Sequence, residues 1–211
     1  MVKGLFKGCL TVPNLLSLIR ILLIPAFAVL YYKGHIGWAV FMLALSGVSD
    51  FLDGKIARRF NQVSELGKIL DPVADKLTQI TIAVMLYLAF RSCDDQLMRA
   101  FSWVFLVFLG KEAVMVIGGA IMLACGIKPC AAEIYGKVAT FVFYLVMLVI
   151  IGFGPEIGAF RNYWTLPDPV LMVLVIISAI LTIVAFLSYM PATYRQVKEK
   201  HQSKLKEKAK K

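Results

Sequence analysis

The sequence predicts an all-α, polytopic membrane protein with six transmembrane helices. Three observations lead there. Of 211 residues, 60 % are hydrophobic and only 17 % charged, too little polar surface to cover a soluble globule of this size. Mean hydropathy is +0.78. The apolar residues also gather into stretches of about 20, the length that crosses a bilayer as a helix. The same figures exclude a large extramembrane domain, so residues 1–211 read as a single membrane domain whose last part, 190–211, is a basic tail.

Met1–Leu10 alternates basic and apolar residues ahead of Pro13, which suits a short N-terminal interfacial helix on the membrane surface. Lys3 and Lys7 before an apolar run imitate a signal peptide, but that run carries Arg20 and leads into further spans without a convincing cleavage site, so it is expected to be retained. The six apolar stretches are Leu15–Tyr32, Ile36–Ile56, Ile69–Phe90, Met98–Cys125, Ile134–Phe153 and Pro169–Tyr189. In the fourth, Gly118, Gly119, Ala120 and Ala124 permit close helix contact.

An even number of spans puts both termini on one side. Lys3, Lys7, the Lys55/Arg58/Arg59/Lys68 connection, the Lys128/Lys137 connection and the tail share that side, whereas the opposite connections mix charges. The positive-inside rule makes it the cytoplasm. The formal net charge of +10 therefore reads as topology and attraction to anionic lipid, not as nucleic-acid binding.

Cys9, Cys93, Cys125 and Cys130 have no CxxC spacing, and the only histidines are His35 and His201. Neither a zinc site nor a disulfide framework is indicated. Chemistry must rest on carboxylates, lysines and arginines.

Four of the 13 acidic residues fall at the end of the second span and the start of the third. Asp50 and Asp53 are three apart, Asp71 and Asp75 four apart, so each pair projects from one face of its helix. In an antiparallel hairpin the four carboxylates can converge. Uncompensated, they would repel and be poorly solvated at the membrane, so protons or cations must offset them. Oxygen-only ligands favour a hard divalent ion, Mg²⁺ or Mn²⁺.

Gly54, Ala57 and Gly67 leave room beside the cluster, and Arg58 can pair with a phosphate or orient a carboxylate. Cations between carboxylates and a phosphate-bearing substrate make a phosphoryl-transfer site. One carboxylate must then serve as base for an incoming hydroxyl.

The pattern D-x2-D-G-x2-A-R-x8-G-x3-D-x3-D runs without a gap from Asp50 to Asp75. It resembles the signature of the CDP-alcohol phosphatidyltransferase family. The resemblance implies a six-helix membrane fold working as a homodimer, with a cytoplasm-facing cavity open laterally to lipid. It implies attack of an alcohol on the β-phosphorus of a CDP-linked lipid, with release of CMP. It also implies that Asp50, Asp53 and Asp71 hold two divalent cations, that Asp75 is both metal neighbour and base, that Gly54, Ala57 and Arg58 accommodate the cytidine diphosphate, and that Gly67 keeps the entry of the third helix open.

The segments T11-V12-P13-N14-L15-L16-S17-L18-I19-R20 and L70-D71-P72-V73-A74-D75-K76 are similar to those of phosphatidylglycerophosphate synthases and the cardiolipin synthases of this family. With CDP-diacylglycerol as donor, the first expectation for the acceptor is sn-glycerol 3-phosphate, its phosphate met by Lys111, Lys137 or Arg20. The alternative is phosphatidylglycerol, giving cardiolipin. Phosphatidylglycerophosphate synthases typically carry Arg-Glu where this chain has Lys111-Glu112, and G-K-x-K-T where it has G136-K137-V138-A139-T140. A divalent-cation transporter using the acidic hairpin is the rival from another class; it requires neither Arg58 nor glycine at 54 and 67.

Overall fold

The computed structural model describes residues 11–59, 67–125 and 134–208. The proposed interfacial helix at Met1–Leu10, together with Cys9, Lys128 and Cys130, lies outside them, as do the side chains of Asp53, Arg58 and Lys68 and the surroundings of Gly54 and Ala57.

Every regular element among the described residues is a helix: α1 Val12–Tyr32, α2 Ile36–Arg59, α3 Gly67–Arg91, α4 Gln96–Phe101, α5 Val104–Ala124, α6 Ile134–Phe153 and α7 Asp168–Lys208. Among the described residues, five stretches are long and apolar enough to cross a membrane. The second expected span is the shorter apolar run Ile36–Asp50, because the rest of α2 carries the polar residues of the candidate site.

Local chemistry sets the ends of α1. The Thr11 side chain accepts from the Asn14 backbone N–H, and Pro13 occupies the first turn, where its missing N–H costs nothing. At the other end the amides of Lys33, Gly34 and His35 return to Val29, Tyr31 and Leu30 carbonyls. Gly34 takes φ +79° there, a conformation that glycine adopts without strain. This tight turn forces α2 back alongside α1.

One expectation needs correction. The fourth apolar stretch is not one helix from Met98 to Cys125: it breaks into α4 and α5 at Ser102–Trp103. Asp95 caps α4 by accepting from the Leu97 N–H at 3.0 Å, and the Ser102 hydroxyl donates to the Arg99 carbonyl at 2.7 Å. Met98 is buried, while the Trp103 ring meets Tyr87 and Arg91 of α3. Docking over the end of α3 thus interrupts a run that composition alone would continue. Past the last apolar stretch, α7 continues to Lys208 through Pro191, because the following Lys-, Glu- and Gln-rich stretch has many good helix formers and no glycine.

The principal helix contacts trace a ring, α1 on α2, α2 on α6, α6 on α7, α7 on α5, α5 on α3 and α3 on α1. Gly136 of α6 leaves the space into which the Tyr189 hydroxyl of α7 reaches. The dry core occupies one end of the ring: Phe27, Leu86, Phe90, Phe105, Ile150 and Leu171 are all buried in one cluster. These come late in α1, α3 and α6 and early in α5 and α7. At the opposite end the same helices carry their polar residues, so the alternation of chain direction has sorted the bundle into an apolar half and a polar half.

Beside the apolar half, in the connection after α3, lies Cys93. Burial pushes its thiol up to about 12, helped by a hydrogen bond to Glu156 and by the charges of Asp95 and Asp94. The thiolate is the reactive form, so at pH 8 a maleimide should label Cys93 far more slowly than the exposed Cys125, as read by peptide mass spectrometry. Equal rates would contradict this placement. The sign for stability follows: the folded chain holds this proton more tightly than the unfolded one, so stability from this site is complete below the ordinary thiol value of 9.0 and is lost as pH rises toward about 12.

Candidate active site

The polar end of the ring is built by α1, α2, α3, α5 and α6. α1 supplies a buried polar stripe, Asn14, Ser17 and Arg20, spaced by three. Ser17 donates to the Asp71 carboxylate as well as to the Pro13 carbonyl. Arg20, 2 % exposed, forms an ion pair with Asp50 at 2.5 Å, and the Asp50 side chain is 57 % exposed. A guanidinium buried this deep in an apolar helix needs an anion, and Asp50 supplies one while keeping a face open.

Asp75 is held differently. Its Oδ1 accepts from the Tyr144 hydroxyl of α6 at 3.0 Å, and its Oδ2 accepts from the Gln79 amide, one turn along α3, at 3.0 Å. α2 carries Asp50, and α3 carries Asp71 and Asp75, at the polar end of the ring. Among the described residues, however, no group of three acidic, cysteine or histidine side chains closes to metal-holding distance. The fourth expected ligand, Asp53, lies outside the described side chains, as do the surroundings of Gly54, Ala57 and Arg58. Gly67 opens α3 and is partly buried.

The three cations expected to meet an acceptor phosphate are in different situations. Arg20 is engaged with Asp50. Lys111 is ion-paired with Glu112, whose other oxygen meets Lys76 at 2.7 Å. Glu112 is 2 % exposed, so two lysines share one buried carboxylate and the cluster carries a net charge of +1. Lys137 is exposed, two helical turns before Tyr144 on α6, which puts it on the same face. Between α3, α5, α6 and α7 lies a narrow crevice of about 10 Å³, lined by Gln79, Lys111, Glu112, Thr140 and Thr182 among others. Gln79 thus borders both the crevice and Asp75.

Sequence reasoning missed Ser17, Gln79, Glu112 and Tyr144 as partners. A polar stripe at three-residue spacing in an apolar helix was a usable signal for Ser17. An amide four residues after Asp75 was one for Gln79. Nothing local marks Tyr144, which is 69 positions away from Asp75.

Comparison with known proteins gives the family. The profile of the CDP-alcohol phosphatidyltransferase family matches residues 10–184. A Streptomyces coelicolor protein named cardiolipin synthase (CMP-forming) is 38 % identical over 152 residues, 69 % of this chain and 67 % of that protein. A Mycobacterium tuberculosis protein named putative cardiolipin synthase is 40 % identical over 136 residues, 64 % of this chain and 61 % of its own length. An Aquifex aeolicus protein named CDP-diacylglycerol–glycerol-3-phosphate 3-phosphatidyltransferase is 36 % identical over 144 residues, 67 % of this chain and 75 % of that protein. With the family profile spanning all the helices that build the polar end, the chain belongs to the CDP-alcohol phosphatidyltransferase family of membrane enzymes.

Proposed function

We propose that this enzyme transfers a phosphatidyl group from CDP-diacylglycerol to phosphatidylglycerol, giving cardiolipin and CMP. The observation that carries the choice of acceptor is the sharing of Glu112 by Lys76 and Lys111. With Arg20 also paired with Asp50, Lys111 is the single cation among the residues lining the crevice. That matches the single charge of a phosphodiester headgroup and leaves the second charge of glycerol 3-phosphate unmet. The hydroxyls of Thr140 and Thr182 and the Gln79 amide suit a glycerol headgroup. Two of the relatives described above are named for the same product.

In this reading the acceptor hydroxyl gives its proton to Asp75 and its oxygen attacks the lipid-side phosphorus of the diphosphate. The bond from that phosphorus to the oxygen of CMP breaks, and CMP leaves with the electron pair. Members of the family generally depend on divalent cations. The all-oxygen donor set of Asp50, Asp71 and Asp75, with Asp53 in sequence register, suits Mg²⁺ or Mn²⁺. Bound there, the ions would neutralise charge developing on the pyrophosphate. Gly54, Ala57 and Arg58 are assigned to the cytidine diphosphate, Gly67 to the open entry of α3. We place the site and both termini on the cytoplasmic side of the cell membrane, because Lys55, Arg59, Lys137 and Arg195 all lie toward the polar end, and take the enzyme to act as the homodimer that the family resemblance implies.

Glycerol 3-phosphate is the second reading. The exposed Lys137 on the Tyr144 face favours it, as does the Aquifex relative's name. Parallel assays of the purified protein with CDP-diacylglycerol and each labelled acceptor decide between them. Cardiolipin should form at least tenfold faster than phosphatidylglycerophosphate. The reverse preference would overturn the choice of acceptor and leave the reaction type standing.

A further inference from the structure

We propose that Tyr144 and Gln79 are positioning residues that fix the Asp75 carboxylate in its working orientation without neutralising it. The inference rests on the reading of Asp75 as the base. A free aspartate side chain on a helix samples several rotamers, whereas here each carboxylate oxygen accepts one hydrogen bond of 3.0 Å, from Tyr144 and from Gln79. The donors come from two helices, α6 and α3. Rotation of the carboxylate would break both bonds together.

The chemistry of the donors matters as much as their geometry. Asp50 and Glu112 are met by guanidinium and ammonium groups, which bring a counter-charge. Both side-chain donors to Asp75 are neutral. They restrict its direction without bringing a counter-charge. The Tyr144 hydroxyl also lies 3.4 Å from the Asp75 main-chain carbonyl, so one phenol spans side chain and backbone of the same residue. Gln79 is 4 % exposed and lines the crevice assigned to the acceptor headgroup. The group that aims the base is therefore part of the wall against which the acceptor sits, and placement of one registers with placement of the other.

The test compares Tyr144→Phe and Gln79→Leu with Asp75→Asn and the parent, in the full-length protein in detergent or vesicles. CMP release from CDP-diacylglycerol, KM for that donor and the unfolding midpoint are measured for each. Misdirection of a reacting group by about 1 Å costs on the order of 100-fold in rate. Each single substitution should therefore lower kcat about 10- to 100-fold, with donor KM within about twofold and an unchanged midpoint. A kcat within twofold of the parent for both variants, while Asp75→Asn is inactive, would overturn the inference and spare the base. So would a loss accompanied in proportion by a higher KM or a lower midpoint, which is how a merely structural role would show. Turnover at the parent rate in Asp75→Asn would remove both the base assignment and the inference built on it.

Discussion

Asp75→Asn should abolish turnover while leaving donor binding largely intact. The substitution keeps the size of the side chain and an oxygen able to accept from Tyr144 or Gln79, but it removes the group able to take a proton from the acceptor hydroxyl. Positioned general bases contribute typically 10²- to 10⁴-fold, and loss of the charge that helps hold a cation adds to the deficit. A fall in kcat of about 10³-fold or more is expected. Donor affinity, measured by equilibrium binding in the presence of Mg²⁺ or Mn²⁺, should change by less than about tenfold, because the diphosphate contacts assigned to Arg58 and to the other aspartates remain. Turnover above a tenth of the parent rate would contradict the role given to Asp75.

Glu112→Gln is expected to be the most destabilising conservative change in the polar half. Glu112 is buried and neutralises two lysines at once. Replacing it leaves two ammonium groups beside an uncharged amide, one of whose two ends is an NH2 that donates and cannot accept. Breaking a buried ion pair from one side costs about 3–5 kcal/mol. Lys76 is 27 % exposed and can turn partly toward solvent, which puts the expectation at about 2–3 kcal/mol. The unfolding midpoint in detergent is the measurement, and a midpoint within 1 °C of the parent would refute the account on any scale relevant here. Replacing Lys111 and Glu112 together by methionine and leucine should restore much of the loss, since apolar residues of similar volume can substitute for a buried pair. Recovery of stability without activity would separate the role of the cluster in folding from its role toward the acceptor.

The positions of the spans were legible because the membrane imposes a length and a composition that no other solvent demands. α1, α3 and α6 begin and end within three residues of the apolar runs read from the sequence. The break at Ser102–Trp103 was not legible, because residues on both sides are as apolar as a continuous span and the interruption comes from α4 docking over α3. The onward course of α7 past Tyr189 shows no apolar signal, because Lys, Glu and Gln sustain a helix in water without burying a face in lipid.

At the site, spacing alone put Asp50 with Asp53 and Asp71 with Asp75 on common helix faces, since a periodicity of 3.6 is a property of the local chain. It also gave the reaction class, through residue types whose chemistry admits few alternatives. Which cation answers which carboxylate is a different kind of fact. Ser17 reaches Asp71 across 54 positions and Tyr144 reaches Asp75 across 69, and such pairings exist only once the ring of helices has closed. The sequence by itself thus determined that the chain spans a membrane and carries the aspartate motif of a phosphatidyltransferase family. The tertiary structure decided that Arg20 and Lys111 are already matched by Asp50 and Glu112, because charge in an apolar bundle must find its counter-charge from a neighbouring helix before it can serve a substrate.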